Sequence, residues 1–390
     1  MRVLHIVGAR PNFMKAAPVV RALRKFPGIQ QILIHTGQHY DANMSDVFFH
    51  QLDLPEPNIN LAVGSGSHAL QTSKIMTRLE PIVLNESPEL VLVYGDVNST
   101  MAAALVCSKL MVRVGHVEAG LRSQDRSMPE EINRVVTDQL SDLLFTPSAD
   151  ADKNLRKEGI APGKIHRVGN VMIDTLIRLL PRSTHCSTCD LQGRYVLVTL
   201  HRPANVDDLP WLRRMLLALC EISQEVEIVF SVHPRTRQRV SELRLQLHST
   251  GRLRLLDPVP YLEFLALQHN ASAVITDSGG IQEETTFMGV PCFTVRENTE
   301  RPITVRLGTN TLVGRDTTRL QGELQSILSG ERKRRTKIPL WDGHAAERIA
   351  DVIAKDLSSR ECLDPCASAA EAQYVNVDRK EGRRPTIEVS

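Results

Sequence analysis

The sequence predicts an α/β protein built from two doubly wound domains that face each other across a cleft. Three observations carry that expectation. The chain has 390 residues, room for two domains of ordinary size. Short runs rich in Val, Ile and Leu recur along it, apolar at consecutive positions, as in parallel strands covered on both faces. Stretches of helical periodicity separate the runs, and a break near the middle sorts them into two sets.

The first set of strand-like runs lies at 3–7, 31–35, 90–94, 112–117 and 143–145, with helical stretches at 17–25, 69–84 and 100–109. The second lies at 195–200, 226–232, 253–256, 273–276 and 291–295. Between them, 181–193 is rich in Ser, Thr and Cys and reads as a linker. An N-terminal domain over 1–180 and a C-terminal domain over 181–343 follow. In 344–357, Ala346, Ile349, Val352, Ile353 and Ala354 share one helical face, which is expected to return to the N-terminal domain. Residues 358–390 carry few apolar side chains and a charged run at 379–384, the pattern of a flexible, solvated tail.

Composition narrows the class. Apolar residues make up 42% and charged residues 24%, so a core can form without disulfide or metal staples. Lys and Arg number 47 against 45 Asp and Glu; the resulting +2 lacks the basic excess of a nucleic-acid binder. Apolar runs such as 90–94 are too short to span a bilayer, and the opening residues read as a strand instead of a signal peptide. Seven scattered cysteines, an odd count, point to reduced thiols in the cytoplasm. Cys186-Ser187-Thr188-Cys189 has only His185 as a further ligand nearby, so no metal site is expected.

In open α/β sheets ligands bind beyond the carboxyl ends of the strands. After the first run comes Gly8-Ala9-Arg10-Pro11-Asn12-Phe13-Met14-Lys15, a helix start flanked by Arg10 and Lys15. That is either an anion site or a plain turn with surface charge, and it is neither a Walker A loop nor a dinucleotide fingerprint. Later runs end in Thr36-Gly37-Gln38-His39, in Gly95-Asp96 and in His116-Val117-Glu118-Ala119-Gly120. Asp96 has helix capping as its bland alternative. Glu118, between Val117 and Ala119, is expected to be partly buried, a functional candidate unless an ion pair explains it. Pro129-Glu130-Glu131 reads as a helix start, where dipole complementarity accounts for one of the two acids.

In the second half, runs end in His201-Arg202 and in His233-Pro234-Arg235. A further run enters Ser278-Gly279-Gly280 and then a helix, so backbone N–H groups and the helix dipole are set to meet a phosphate. Glu284 follows one turn later, placed to accept ribose hydroxyls, and Arg301 offers a second phosphate clamp. The second domain is thus expected to hold a nucleotide diphosphate and the first to supply carboxylates to the attached group.

Taken together, Gly-Ala-Arg-Pro, Thr-Gly-Gln-His, His-Val-Glu-Ala-Gly-Leu-Arg-Ser, Pro-Glu-Glu-x-Asn-Arg, Gly169-Asn170, His-Arg, Asp-Ser-Gly-Gly-Ile-Gln-Glu-Glu and Thr-Glu-Arg-Pro resemble the non-hydrolysing UDP-N-acetylglucosamine 2-epimerases. The resemblance runs from Arg2 to about Ala354. It implies two Rossmann-like domains arranged as in GT-B glycosyltransferases, a homodimer, and no nicotinamide or metal cofactor. The implied reaction inverts C2 of the sugar for surface-polysaccharide synthesis: UDP leaves by anti elimination, a 2-acetamidoglucal forms, and UDP adds back syn. By motif position the resemblance places proton chemistry on Asp96, Glu118, Glu130 and His201. Substrate contacts fall on Arg10, Lys15, Arg134, Arg202, Ser278, Gly279, Gly280, Glu284 and Arg301, with the backbone near Phe264 and Arg10 at the uracil. Allosteric activation by substrate is implied through Gln38 and His233.

The chain departs from the pattern in three places. Relatives specific for plain N-acetylglucosamine often carry Gly-Thr-Arg-Pro-Glu, where this chain has Gly8-Ala9-Arg10-Pro11-Asn12. Ile303 replaces an acid, and Pro203-Ala204-Asn205 replaces an Arg/Glu-rich segment. A 2-epimerase of UDP-2,3-diacetamido-2,3-dideoxy-glucuronate is therefore an alternative. So are a hydrolysing epimerase, a GT-B glycosyltransferase with Asp150-Ala151-Asp152 as a D-x-D motif, and a nucleotide-sugar sensor.

Overall fold

The computed structural model describes residues 1–38, 49, 51–183, 191, 193–243, 252–331 and 335–361. His39, His185, the Cys186–Cys189 pair, most of the expected linker, Cys362, Cys366 and the charged run at 379–384 lie outside the described residues. The chain forms two compact units, Met1–Ala350 and Asp351–Ser390, and both sheets belong to the first.

The first sheet contains β1 (Arg2–Val7), β2 (Gln30–His35), β3 (Ile59–Asn60), β4 (Leu90–Tyr94), β5 (Val114–Val117), β6 (Leu143–Thr146) and β7 (Ile165–Arg167). Its helices are α1 (Arg10–Leu23), α2 (His68–Glu86), α3 (Asn98–Lys109), α4 (Pro129–Leu140), α5 (Ala149–Lys157) and α6 (Val171–Leu179). The second sheet contains β8 (Tyr195–Thr199), β9 (Glu227–Ser231), β10 (Leu253–Leu256), β11 (Ala273–Thr276), β12 (Cys292–Thr294) and β13 (Asn310–Leu312). With it go α7 (Pro203–Val206), α8 (Leu209–Ile222), α9 (Pro234–Glu242), α10 (Tyr261–Asn270), α11 (Gly279–Met288), α12 (Pro302–Arg306) and α13 (Thr317–Leu328), and then α14 (Ala345–Glu361).

All described pairings are parallel, in the orders β3-β2-β1-β4-β5-β6-β7 and β10-β9-β8-β11-β12-β13. Each order reverses once, between β1 and β4 in the first sheet and between β8 and β11 in the second. These are the switch points at which loops diverge and leave a crevice. The expected α/β class with two Rossmann-like halves is what the chain adopts.

The non-alternating apolar runs have a direct cause. In the first half, Leu4, Ile6, Val91 and Val93 pack on Ile75 and Leu79 of α2 and Ala103 of α3. In the second, Val196, Val198 and Phe230 meet Trp211 and Met215 of α8 on one face, while Tyr195, Leu197 and Val229 meet Leu267 of α10 on the other. Each such aliphatic side chain contributes about 1.5–3 kcal/mol by leaving water. The start of α14 is tied to the first half: the Ala345 and Ala346 N–H groups donate to the Asp174 carboxylate of α6 at 3.2 and 2.7 Å. Among the described residues, no helix is long and apolar enough to cross a membrane.

Candidate active site

The carboxyl ends of β1, β4, β8, β11 and β12 surround a cavity of about 360 Å³ lined from both sheets. From the first half, Lys15, Asp96 and Glu130 reach it. From the second come His201, Arg202, Phe264, Glu284 and Arg301, with the Ser278–Gly280 backbone at the start of α11. Residues far apart in sequence, singled out at separate strand ends, therefore converge on one crevice.

Glu118 joins the two halves. It follows β5 and is buried, and its φ of +76° is a left-handed conformation that costs a non-glycine residue about 1–2 kcal/mol. Its Oε2 pairs with the Lys15 ammonium of α1, and its Oε1 accepts from Arg301 Nη2 at 2.6 Å. Arg301 is fully engaged by carboxylates: Nη1 donates to Glu300 at 2.8 Å, and Nε lies 2.9 Å from Glu283. Gly279 permits this packing, because a Cβ there would collide with the guanidinium. Burial opposes ionisation of Glu300, but Arg301, Arg296 and Arg202 outweigh it and hold that carboxyl well below the usual range. Burial pushes the Glu283 carboxyl up; Arg301 opposes the shift and Glu118 adds to it.

The other acids separate into cavity and scaffold. Asp96 pairs with the Arg134 guanidinium and does not cap α3, whose N-cap, Val97, has no side-chain bond. Glu131 is buried, accepting from Arg134 Nη2 at 2.6 Å and from the Ser123 and Gln124 N–H groups at 2.9 Å. Of the two acids at the start of α4, Glu131 thus braces the loop and Glu130 faces the cavity. Arg134 is buried in this scaffold and touches the cavity through Asp96.

His201 stands at the end of β8, half exposed, with Nδ1 2.9 Å from Asp277 Oδ1. Asp277 is fully buried and also accepts from the Arg202 N–H at 2.9 Å and from Asn205 Nδ2 at 3.1 Å. Burial opposes ionisation of Asp277, yet the His201 bond and charge and the Arg202 and Asn205 bonds hold its carboxyl below the usual range. The pair fixes the ring and leaves Nε2 for a ligand. Arg202 Nη2 lies 3.3 Å from Glu300. On α11, Glu284 accepts from the Tyr261 hydroxyl at 2.7 Å, and burial pushes its carboxyl up.

Glu118 and Arg134 stand behind the cavity lining, and Arg10, Gln38 and His233 are not among the lining residues either. Gln38 is buried, its Oε1 accepting from the Ser99 N–H at 3.0 Å and Ser99 Oγ at 2.7 Å, which caps the start of α3. His233 is the N-cap of α9, its Nδ1 accepting from the Arg235 N–H at 3.3 Å. In Asp150-Ala151-Asp152, Asp152 is held by Arg167 at 2.6 Å and is part of the scaffold. Among the described residues, no cluster of three or more His, Cys, Asp or Glu is arranged to hold a metal ion.

Sequence reasoning did not single out Asp277, Tyr261, Glu283 or Glu300. The rule that exposed Asp96 and Glu118, a polar residue at the carboxyl end of a buried strand, applies equally to Asp277 after β11. Tyr261 carries no local signal, since only the fold brings it to Glu284.

A family model described as UDP-N-acetylglucosamine 2-epimerase matches residues 21–354. A UDP-N-acetylglucosamine 2-epimerase of Methanocaldococcus jannaschii is 43% identical over 364 residues, covering 90% of this chain and 99% of that protein. A UDP-2,3-diacetamido-2,3-dideoxy-D-glucuronate 2-epimerase of Pseudomonas aeruginosa is 42% identical over 358 residues, covering 91% of this chain and all of that protein (100%). The crystal structure of the Methanocaldococcus jannaschii enzyme in complex with UDP-GlcNAc and UDP superposes with a TM-score of 0.83 at 43% identity, covering 91% of this chain and 100% of that one. With this sequence similarity along the two-sheet scaffold, the chain belongs to the UDP-N-acetylglucosamine 2-epimerase family.

Proposed function

We propose that the protein interconverts UDP-N-acetylglucosamine and UDP-N-acetylmannosamine without net hydrolysis. The observation that carries the reading is the single cavity in which the α11 N-terminus and Arg301 of one half meet Asp96 and Glu130 of the other, with Glu118 paired to the Arg301 and Lys15 that line it. Inversion at C2 needs two things at once. No carbonyl activates the C2 proton, so departure of UDP must be assisted, and N–H groups at a helix start with nearby cations serve that end. The proton leaves one face and returns on the other, so at least two acid/base groups must flank the carbon.

The ground-state contacts suggest how binding prepares the site. Arg301 is held by Glu118, Glu283 and Glu300. A diphosphate at the start of α11 offers Arg301 a new anionic partner and so releases Glu118 toward the sugar. His201, oriented by Asp277, and Glu118, Asp96 and Glu130 supply the proton chemistry, with anti elimination of UDP, a 2-acetamidoglucal intermediate and syn re-addition. Glu284 holds the ribose, and Arg10 and the backbone at Phe264 take the uracil. The half at 1–180 then serves the sugar and the half at 181–343 the nucleotide. We extend the reading, on the family resemblance, to a cytoplasmic homodimer that feeds surface-polysaccharide synthesis, with Gln38 and His233 in substrate activation. Light scattering on the eluting peak tests the dimer.

The second reading, a diacetamido-uronate substrate, is favoured by the Pseudomonas aeruginosa relative at 42% identity. Two of the three sequence departures lie away from the cavity. Asn12 is buried and bonded to the Gly8 and Ala9 N–H groups and the Tyr94 carbonyl, and Ile303 is buried in α12; neither lines the cavity. Proton NMR of the enzyme with each UDP-sugar decides between them. Conversion of UDP-N-acetylglucosamine with UDP release far below product supports the first reading. Turnover of the uronate alone supports the second, and stoichiometric UDP release overturns the non-hydrolytic mechanism.

A further inference from the structure

His116, in the middle of the sheet core, contacts no part of the cavity, yet it sits at the root of both Asp96 and Glu118. It lies on β5, fully buried, two residues before Glu118. Its Nε2 is 2.7 Å from the Gly95 carbonyl oxygen, directly before Asp96. Its Nδ1 is 2.6 Å from Asp138 Oδ1 on α4. Asp138, also fully buried, accepts through Oδ2 from the Gly120 N–H at 3.0 Å, two residues after Glu118, and pairs with Arg122 at 2.7 Å. Arg122 in turn binds Glu158 at 2.6 Å.

Both ring nitrogens are spent on the fold, one at the carbonyl before Asp96 and the other at the carboxylate that holds the Gly120 N–H. Buried polar contacts of this kind are costly to break, so the ring ties the two turns together. Burial opposes ionisation of Asp138, but the His116 and Arg122 charges and hydrogen bonds outweigh it and hold its carboxyl below the usual range.

We infer that His116 is a positioning residue that, with Asp138, clamps the Gly95–Asp96 and Glu118–Gly120 turns and so sets the separation of the two acids. The strain at Glu118 gives the clamp its purpose. A residue at φ +76° relaxes unless its flanks are held, and Asp138 holds the Gly120 side while Phe145 O accepts from the Glu118 N–H at 3.1 Å. At Gly95, φ is +64° and an added Cβ would stand 2.7 Å from Lys15 Nζ, so a shift of this turn would disturb the Lys15–Glu118 pair. The inference rests on the epimerase reading for its kinetic consequence and is independent of it for the geometry of the two turns.

Two measurements test it on the full chain. In a crystal structure of His116→Gln, the Gly95–Asp96 and Glu118–Gly120 turns are expected to be displaced while both sheets are kept. Should that variant not fold, Asp138→Asn is expected to displace the same turns. If both turns are unmoved in the folded variant, the inference is overturned. Kinetically, His116→Gln is expected to lower kcat about 100-fold, the scale of an ångström-sized misplacement of reacting groups, with KM and UDP affinity within about twofold. An unchanged kcat, or a loss confined to KM, would also overturn it. If the wild-type protein turns over no UDP-sugar, the epimerase reading fails, and the variant structure alone judges the clamp.

Discussion

Asp277→Asn isolates the part of the site in which a buried charge orients an exposed histidine. Asp277 is fully buried and is contacted by the His201 N–H at 3.1 and 3.2 Å, the Arg202 N–H at 2.9 Å, Asn205 Nδ2 at 3.1 Å and His201 Nδ1 at 2.9 Å. An asparagine keeps one acceptor oxygen and turns the other into an N–H₂ group. If the oxygen takes the place of Oδ2, it retains the Arg202 and Asn205 bonds, and the amide nitrogen faces His201 Nδ1. The ring must then accept at Nδ1 and carry its proton on Nε2, the reverse of the tautomer the carboxylate selects. Losing the charge-assisted character of these bonds costs about 1.5–3 kcal/mol, a fall in Tm of roughly 5–10 °C for a domain of this size. Reversing the tautomer of an acid/base histidine lowers kcat by about 10²–10⁴. The assay is kcat and KM by NMR on the UDP-sugar, with UDP affinity by calorimetry as the control for folding. The double variant Asp277→Asn/His201→Asn should be no slower than His201→Asn alone, because the two residues act as a unit. A folded Asp277→Asn enzyme with kcat within twofold of wild type, or fully additive losses, would refute the reasoning.

Three further outcomes follow from the same geometry. Glu118→Gln and His201→Asn are each expected to keep UDP affinity within about threefold while kcat drops by about 10²–10⁴; wild-type rates in both would remove them from the mechanism. Gly95→Ala is expected to lose about 1–2 kcal/mol from its φ of +64° and to lower turnover by pushing Lys15, whose Nζ would be 2.7 Å from the new Cβ, away from Glu118. Differential scanning calorimetry and the NMR assay check the two effects, and an enzyme unchanged in both would refute the packing described for that turn. In Glu131, burial opposes ionisation, but the Ser123 N–H, Arg134 and the Gln124 N–H outweigh it and depress the carboxyl. A carboxyl depressed in the folded state contributes stability above its unfolded value of about 4 and loses it as pH falls below. Urea titrations of Glu131→Gln should therefore show a smaller loss of stability below pH 4 than wild type, and parallel acid limbs would contradict the assignment.

What the sequence disclosed and what it hid have physical reasons. Central strands such as β4 and β11 are covered on both faces, so each reads as an unbroken apolar run and was placed with its true ends. The strands it missed, β3, β7 and β13, are edge strands of two or three residues. Half their surroundings are solvent, so their composition carries little signal. The acids at strand ends were legible because burial between Val117 and Ala119 is unfavourable for a carboxylate without a partner. The partners themselves were not legible: Arg301 reaches Glu118 across 183 positions, and no local pattern anticipates such a contact. The near-neutral +2 of the chain likewise conceals a local arrangement, since cations and carboxylates are concentrated in one crevice and cancel in the sum.

The most direct test of the account is the fate of the C2 proton in deuterated water. Incubating the enzyme with UDP-N-acetylglucosamine in D₂O and following the reaction by NMR should give UDP-N-acetylmannosamine carrying solvent deuterium at C2, with free UDP far below the amount of epimer. Epimer formed with its C2 proton retained, or UDP released in step with the sugar, would contradict a site in which carboxylates and His201 exchange that proton while the diphosphate is held for return.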